Sequence, residues 1–422
     1  MVNKVLGTIG SRILTAVISL GVIIITSKQL GAEAVGTISL IILGITIVQM
    51  VNNFIGGSSL VYLTPRIDIY KLFVPSYIWA FITAFVCSLI LKLLHLIPAE
   101  YFFHVMLLSL IQSLSSINQS ILLGREKVKT YNFITAVQVI ILIIVLYVFV
   151  FYLEHREVLS YIIALYASYT FGMITSAIKT FRLIKFTHLT NLKHVLKDIL
   201  RFGIYAQFAN IIQLFNYRIT FYLIESFLGR ASLGVYSVGV QLSEGLWLTG
   251  KSMAIVQFSR ISNVEDKIYA KKITLVFGKI SLLVTFVMLI ILILIPHQFF
   301  SEIFGKDFTD LPVVILSLAS GILFLSFSFS LSHYFSGIGK PFHNTISSSI
   351  GFAVTLILGF LLIPKFHLWG AGITTSAAYL SILCYQVFFF TKVSGAKLKE
   401  LLISRNDIRT FSEELKNWLK KL

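Results

Sequence analysis

The chain has 422 residues, of which 57% are hydrophobic and only 13% charged, with a mean hydropathy of +0.88. That balance excludes a soluble protein of this size and requires a polytopic membrane protein. The formal charge of +17 does not point to nucleic acid, because Lys and Arg fall mostly in alternate loops and no basic, aromatic-interleaved soluble domain is present.

The N-terminal stretch MVNKVLGTIGSRILTAVISLGVIIITSK has the charge and apolar run of a signal peptide, but the run is long and no small-residue cleavage site follows. It is expected to stay as the first span. Apolar runs of helical length, cut by Gly, Pro or charge, give twelve expected spans. They lie at 12–29, 37–62, 73–94, 102–123, 131–153 and 158–178 in the first half, and at 203–228, 234–259, 273–295, 312–337, 345–363 and 370–392 in the second. The fold class is therefore all-α integral membrane, with two six-helix lobes at 1–178 and 202–392, a basic linker at 179–201 and an amphipathic tail at 393–422.

Orientation follows from the basic residues flanking these spans. One side, holding both termini, collects 26 Lys and Arg, and the other collects 6. Both termini are expected to be cytoplasmic. The two cysteines, Cys87 and Cys384, lie within apolar spans, where a thiol is a small apolar side chain more readily than half of a disulfide. The nine histidines have no metal-ligand spacing, so neither a metal nor another cofactor is expected.

In the first half no span contains a carboxylate, but two carry polar stripes. Gln49, Asn52, Asn53 and Gly56 follow i, i+3, i+4, i+7 spacing, as do Gln112, Ser115, Ser116 and Gln119. Each stripe either lines a wet cavity or holds helices together through small and amide side chains. The chain also repeats itself. LGAEAVGTISL at 30–40 matches LGRASLGVYSV at 228–238, and LLGREK at 122–127 matches FSGIGK at 335–340. Matched pairs in equivalent places of two six-span halves make a parallel repeat, a transporter plan in which the site lies between lobes.

The second half puts charge into apolar spans. On a helix of 100° per residue, Gln207, Arg218 and Glu225 share one narrow face, with Asn210 beside it. The next span carries Glu244 near its middle and Lys251 two turns on. A charge in mid-bilayer costs about 2.5–3.5 kcal/mol by insertion scales, so these residues should face an interior. Substrate contacts are expected from Arg218, Lys251, Gln207, Asn210, Asn53 and Gln119, with Glu244 and Glu225 as candidates for ion coupling. The opposing reading is a set of structural ion pairs, such as Glu244 with Lys251. In the tail, Thr410-x-x-Glu413 makes a capping box, and Ile408, Phe411, Leu415, Trp418, Leu419 and Leu422 form an apolar stripe opposite Lys416, Lys420 and Lys421. This is expected to be a helix on the cytoplasmic leaflet or one packed on the protein.

Four stretches, in order, resemble the O-antigen (Wzx-like) polysaccharide flippases of the multidrug, oligosaccharidyl-lipid and polysaccharide (MOP) exporter superfamily. They are LGAEAVGTISL, NYRITFYLIESFLGRASLGVYSVGVQLSEGLWL with the following FSRIS, FSGIGKP, and LLIPKFHLWGAGITTSAAY. The resemblance covers nearly the whole chain. It implies a twelve-helix, two-lobed, MATE-like carrier, not an enzyme, moving polyprenyl-pyrophosphate-linked oligosaccharide across the bacterial inner membrane by alternating access. Partners would be the lipid-linked oligosaccharide, membrane lipids, and a polysaccharide polymerase with its chain-length proteins. Relatives often read NYRID where this chain has Asn216-Tyr217-Arg218-Ile219-Thr220, so the acid beside Arg218 is missing and Glu225 is its possible substitute.

Rivals are a peptidoglycan-precursor flippase, which often carries two further spans than this chain can hold, and a cation-coupled drug antiporter, which would place carboxylates in the first lobe. A membrane glycan polymerase or ligase would need a larger outer loop than 296–311. No phosphate loop is present to mark an ATPase.

Overall fold

The computed structural model describes residues 2–184, 192–263 and 266–402. Nine long helices fill them, and three of the nine are each divided by one non-helical residue, so twelve segments of membrane-crossing length result among the described residues. Val2–Asn52 breaks at Gly31 into α1 (2–30) and α2 (32–52). A short helix, Gly57–Leu63, continues the second span. Then come α3 (Ile69–Leu93), α4 (Phe102–Gly124), α5 (Val128–Tyr147, extended by a π-helical turn, Val148–Tyr152) and α6 (Val158–Phe181). Leu192–Ser262 breaks at Gly229 into α7 (192–228) and α8 (230–262). After α9 (Lys267–Ile293) and α10 (Leu311–Gly337), Phe342–Ser394 breaks at His367 into α11 (342–366) and α12 (368–394).

The helix ends are written in the sequence. Asp266 caps α9 by accepting from the backbone N–H groups of Ile268 and Tyr269 at 2.8 and 3.2 Å, and Pro312 sits in the first turn of α10. The two internal repeats fold alike. Gly31 and Gly229 share φ 83°, with ψ 172° and 176°, a region that only glycine occupies without strain. The matched ends of α4 and α10 close with the same pair of bonds: Lys127 N–H to Leu122 O and Glu126 N–H to Leu123 O in one, Lys340 N–H to Phe335 O and Gly339 N–H to Ser336 O in the other.

Burial along α3 is inverted relative to a soluble protein. On α3, Ser76, Ala80, Thr83, Ala84 and Ser88 are buried while Phe81, Ile82, Phe85, Val86 and Leu89 are exposed. Small and hydroxyl residues let helices approach and the large apolar ones meet lipid.

Two compact units are present. The first comprises 1–211 with 230–234 and 301–308, and its core joins Val22, Ile38, Ile45, Val105, Leu108, Leu146 and Ile162 of α1, α2, α4, α5 and α6. A second cluster in that unit sets Val195 and Ile199, from the start of α7, against Leu60, Leu72, Ile117 and Ile121. The basic segment 179–201 is thus helical from 192 on, while 185–191 lies outside the described residues. The second unit comprises 212–229, 235–300 and 309–422. Its clusters centre on Trp247, Phe329 and Tyr379 and on Leu331, Tyr334, Phe335 and Phe390. Of the expected tail helix, 403–422 lies outside the described residues.

Candidate functional site

In the second unit Arg218 of α7 and Glu244 of α8 form an ion pair, with Nη2 and Oε1 at 2.7 Å and side chains 24% and 28% exposed. The guanidinium also lies 5.1 Å from the ring centre of Phe221, a cation–π contact. Only one edge of the fork is occupied. Nη1 is buried and has no hydrogen-bond partner among the described residues. Asn216, two residues earlier and 2% exposed, likewise finds no described partner for either amide atom.

Aromatic rings gather beside this pair. Tyr217 lies 6.1 Å from Trp247 and 5.9 Å from Tyr379, and Trp247 stands edge-on to Phe329 at 5.8 Å. Gln213 donates to the Tyr217 hydroxyl at 3.1 Å. Thr220, at the position where an acid was expected from the resemblance, is buried and bonds to Thr375 of α12 at 3.4 Å, while Tyr236 bonds the same threonine at 2.7 Å. The counter-charge missing from NYRIT is supplied from the neighbouring helix by Glu244.

This differs from the pairing of Glu244 with Lys251 considered above. Glu244 is bonded to Arg218, not to Lys251, which is exposed. Helical spacing alone places Glu244 and Lys251 along one side, but the Arg218 guanidinium takes the Glu244 carboxylate and the long Lys251 side chain stays at the surface. Glu225 is half-buried on α7. Gln207 is 5% exposed and accepts from Asn210 Nδ2 at 3.3 Å, Asn210 itself being exposed. Gln207 and Asn210 belong to the first unit and Arg218 and Glu244 to the second.

The polar stripes of the first unit are placed as follows. Gln49 donates to Ser113 of α4 at 3.1 Å, Gln119 to Ser115 at 2.9 Å, and Asn118 to the Tyr77 hydroxyl at 2.8 Å. Asn52 is fully buried, and neither of its amide atoms has a partner among the described residues. Asn53 Oδ1 and Gln112 Oε1 are also buried and unpartnered among them. The helical spacing assumed through Asn53 and Gly56 does not hold, because α2 stops at Asn52 and helix resumes only at Gly57. A buried amide without a partner is costly, about 1–3 kcal/mol per group. Three such atoms, both of Asn52 and Oδ1 of Asn53, lie at the end of α2.

Sequence reading missed the ring cluster and the orphaned Asn216. A signal for the former was present at one position: Tyr217 stands between Asn216 and Arg218, whereas Trp247 and Tyr379 have apolar neighbours on both sides.

No family model matches the chain. An uncharacterized membrane protein of Methanocaldococcus jannaschii is 30% identical over 145 residues, which is 34% of this chain and 29% of that one. The capsular polysaccharide biosynthesis protein CapF of Staphylococcus aureus is 26% identical over 197 residues, 46% of this chain and 50% of CapF. The chain thus spans half or less of the length of these relatives. Among solved structures, the lipid II flippase MurJ in an inward closed conformation superposes with a TM-score of 0.71 at 18% identity, over 99% of this chain and 93% of that one. An inward-facing multidrug resistance MATE family transporter of the MOP superfamily gives 0.70 at 14% identity, over 91% and 96%. A MOP superfamily transporter from Pyrococcus furiosus gives 0.59 at 16%, over 93% of each. The fold is therefore the MOP/MATE-like membrane fold.

Proposed function

We propose that this chain is a carrier that moves polyprenyl-pyrophosphate-linked oligosaccharide, the repeat unit of O-antigen or another surface polysaccharide, across the bacterial inner membrane by alternating access. Such a ligand has an anionic pyrophosphate, a hydroxyl-rich headgroup and a long apolar tail. Its headgroup cannot cross hydrocarbon without losing hydrogen bonds, so a carrier must supply a polar interior while the tail stays in lipid.

The observation that carries the reading is the half-used guanidinium of Arg218. Glu244 holds Nη2 and so fixes the plane, and Nη1 remains buried with an unmet donor. An anionic oxygen is what that donor lacks. Tyr217, Trp247 and Tyr379 offer faces on which sugar rings can lie, and the unpartnered amides of Asn52, Asn53 and Gln112 suit hydroxyls. Glu244 would take the coupling proton or cation when a ligand draws Arg218 away. Sequence likeness to a capsular polysaccharide biosynthesis protein and a fold shared with a lipid II flippase support the substrate class. Solved relatives of the fold include inward-facing and outward-facing conformations, which supports alternating access.

The termini would lie in the cytoplasm, and a polysaccharide polymerase with chain-length proteins would consume the product. A second reading, flipping of the peptidoglycan precursor, is favoured by the 93% coverage of MurJ, which removes the argument from chain length. The test is glycan export in cells carrying Arg218→Lys or Arg218→Gln at normal membrane levels. The Lys variant should retain partial export and the Gln variant none, and normal export by Arg218→Gln would refute the ligand role. Rescue of peptidoglycan synthesis in place of surface glycan would select the second reading.

A further inference from the structure

At one end of the second unit, the ends of α9, α10, α11 and α12 border a half-open cavity of about 500 Å³, a size typical of small-ligand sites. Three exposed lysines line it from three different places in the chain: Lys267 at the first residue of α9, Lys340 in the turn after α10, and Lys392 in the last turn of α12. Tyr334, His343 and Phe389 are also part of the lining. His343 is 4% exposed and locked in place, with Nδ1 3.0 Å from the Tyr385 hydroxyl and the rings of Phe335, Phe342 and Phe389 at 4.7, 4.0 and 4.7 Å.

Among the described residues no carboxylate lines this cavity. The two acids described nearest to it in the chain are committed elsewhere: Asp266 caps α9, and Glu400 holds Lys271 at 2.9 Å. Three lysines with rigid aromatic walls and no spare counter-charge among the described residues make a site for an anion. Phe342 of α11, Phe388 of α12 and Leu398, in the short helix Leu398–Leu401 that follows α12, are exposed apolar side chains. An anionic head in the cavity would therefore have acyl-compatible surface next to it, as basic pockets between helix ends have for phospholipid heads.

We propose that this cavity binds the phosphate of an anionic membrane phospholipid, as a lipid site whose residues are all different from those around Arg218. The site takes a phosphodiester through Lys267, Lys340 and Lys392, and the ligand's acyl chains lie outside along α11 and α12. It is independent of what the carrier transports.

The test uses the full chain purified in a neutral detergent, with thermal melting followed during titration with short-chain phosphatidylglycerol, short-chain phosphatidylcholine, or inorganic phosphate. Phosphatidylglycerol should raise the melting temperature, and the other two should not at equal concentration. In K267Q/K340Q/K392Q its apparent affinity should fall roughly a hundredfold, and in K392Q alone about fivefold. Lys399→Gln, at an exposed lysine that does not line the cavity, should bind as the parent does. The lipid-free melting temperature of each variant reports its folding. Unchanged affinity in the triple variant would overturn the site, and an equal shift with inorganic phosphate would overturn the lipid as its occupant.

Discussion

Gly36 and Gly234 hold reciprocal positions in the first unit: a Cβ on Gly36 would come within 1.9 Å of the Arg230 carbonyl oxygen, and one on Gly234 within 1.9 Å of the Ala32 carbonyl oxygen. Each is the second glycine of its repeat, five residues after the break at Gly31 or Gly229. The acids near these breaks also correspond. Asp307 Oδ2, in the 3-10 turn before α10, accepts from the Ala32 N–H at 3.1 Å, and Glu100, in the 3-10 turn before α4, binds Arg230 at 2.9 Å. The repeat seen as matched letters is thus a repeat of contacts.

Gly36→Ala and Gly234→Ala should each destabilise the protein by about 1–3 kcal/mol, since the obstacle is backbone and cannot rotate aside. At Gly229 no atom lies within 4 Å of a built Cβ, so Gly229→Ala meets only the backbone penalty of its φ of 83°, about 1–3 kcal/mol. Melting in detergent measures each loss. The double variant Gly36→Ala/Gly234→Ala should be non-additive, and additive losses would deny that the two glycines share one crossing.

Glu126 occupies φ 56° at a helix end whose counterpart, Gly339, has φ 74°. Glu126→Gly should therefore raise stability by about 1 kcal/mol, and Gly339→Ala should lower it by a similar amount. A fall in melting temperature for Glu126→Gly would mean that the glutamate side chain contributes more than its backbone costs.

Arg218→Gln leaves Glu244 without its partner. For a fully buried pair that costs about 3–5 kcal/mol, and with both groups about a quarter exposed we expect about 1–2 kcal/mol. Adding Glu244→Gln should restore stability. It should not restore export, because the donor for the anion is still absent. Recovery of both together would make the pair purely structural.

Reporter fusions after Leu153 and Lys306 should read as external, and those after Lys127 and Arg201 as internal. The reverse pattern would contradict the charge asymmetry from which the orientation was argued.

In a background lacking Cys87 and Cys384, Asn53→Cys should react readily with a small water-soluble thiol reagent. Gln119→Cys should react more slowly, because Gln119 is only 8% exposed. If neither reacts under any transport condition, the amides of the first unit hold helices together and do not line a wet path.

Much of the fold could be read from apolar runs, for a physical reason. A run ends where lipid ends, and loops with charge follow, so 102–123 and 312–337 anticipated Phe102–Gly124 and Leu311–Gly337 closely. Where helix outlasts lipid, the same logic falls short. The seventh span was expected from 203, but helix begins at Leu192 because VLKDILR is amphipathic and packs Val195 and Ile199 against the first unit's core. Connections were expected at 30–36 and 364–369, and the chain makes each through one residue. At the site, one helix face could be read and its rotation against the next helix could not. Arg218 was legible as a buried cation, but its pairing with Glu244 depends on how α7 and α8 turn toward each other. Asn53 shows the opposite error, a periodicity counted through a helix that had already ended.

The single-residue junctions at Gly31, Gly229 and His367 leave almost no chain between the spans they join. Proteases cut, and inserted sequences are tolerated, where a tip of extended chain stands clear of the fold. In the proposed topology three of the six external connections offer none, so the turns near 94–101, 153–157 and 294–310 are the ones expected to be nicked or to carry a tag. An added protease acting from that side alone should reduce the protein to a few large fragments, and epitope insertions at Gly31 or Gly229 should abolish accumulation where one after Glu154 survives.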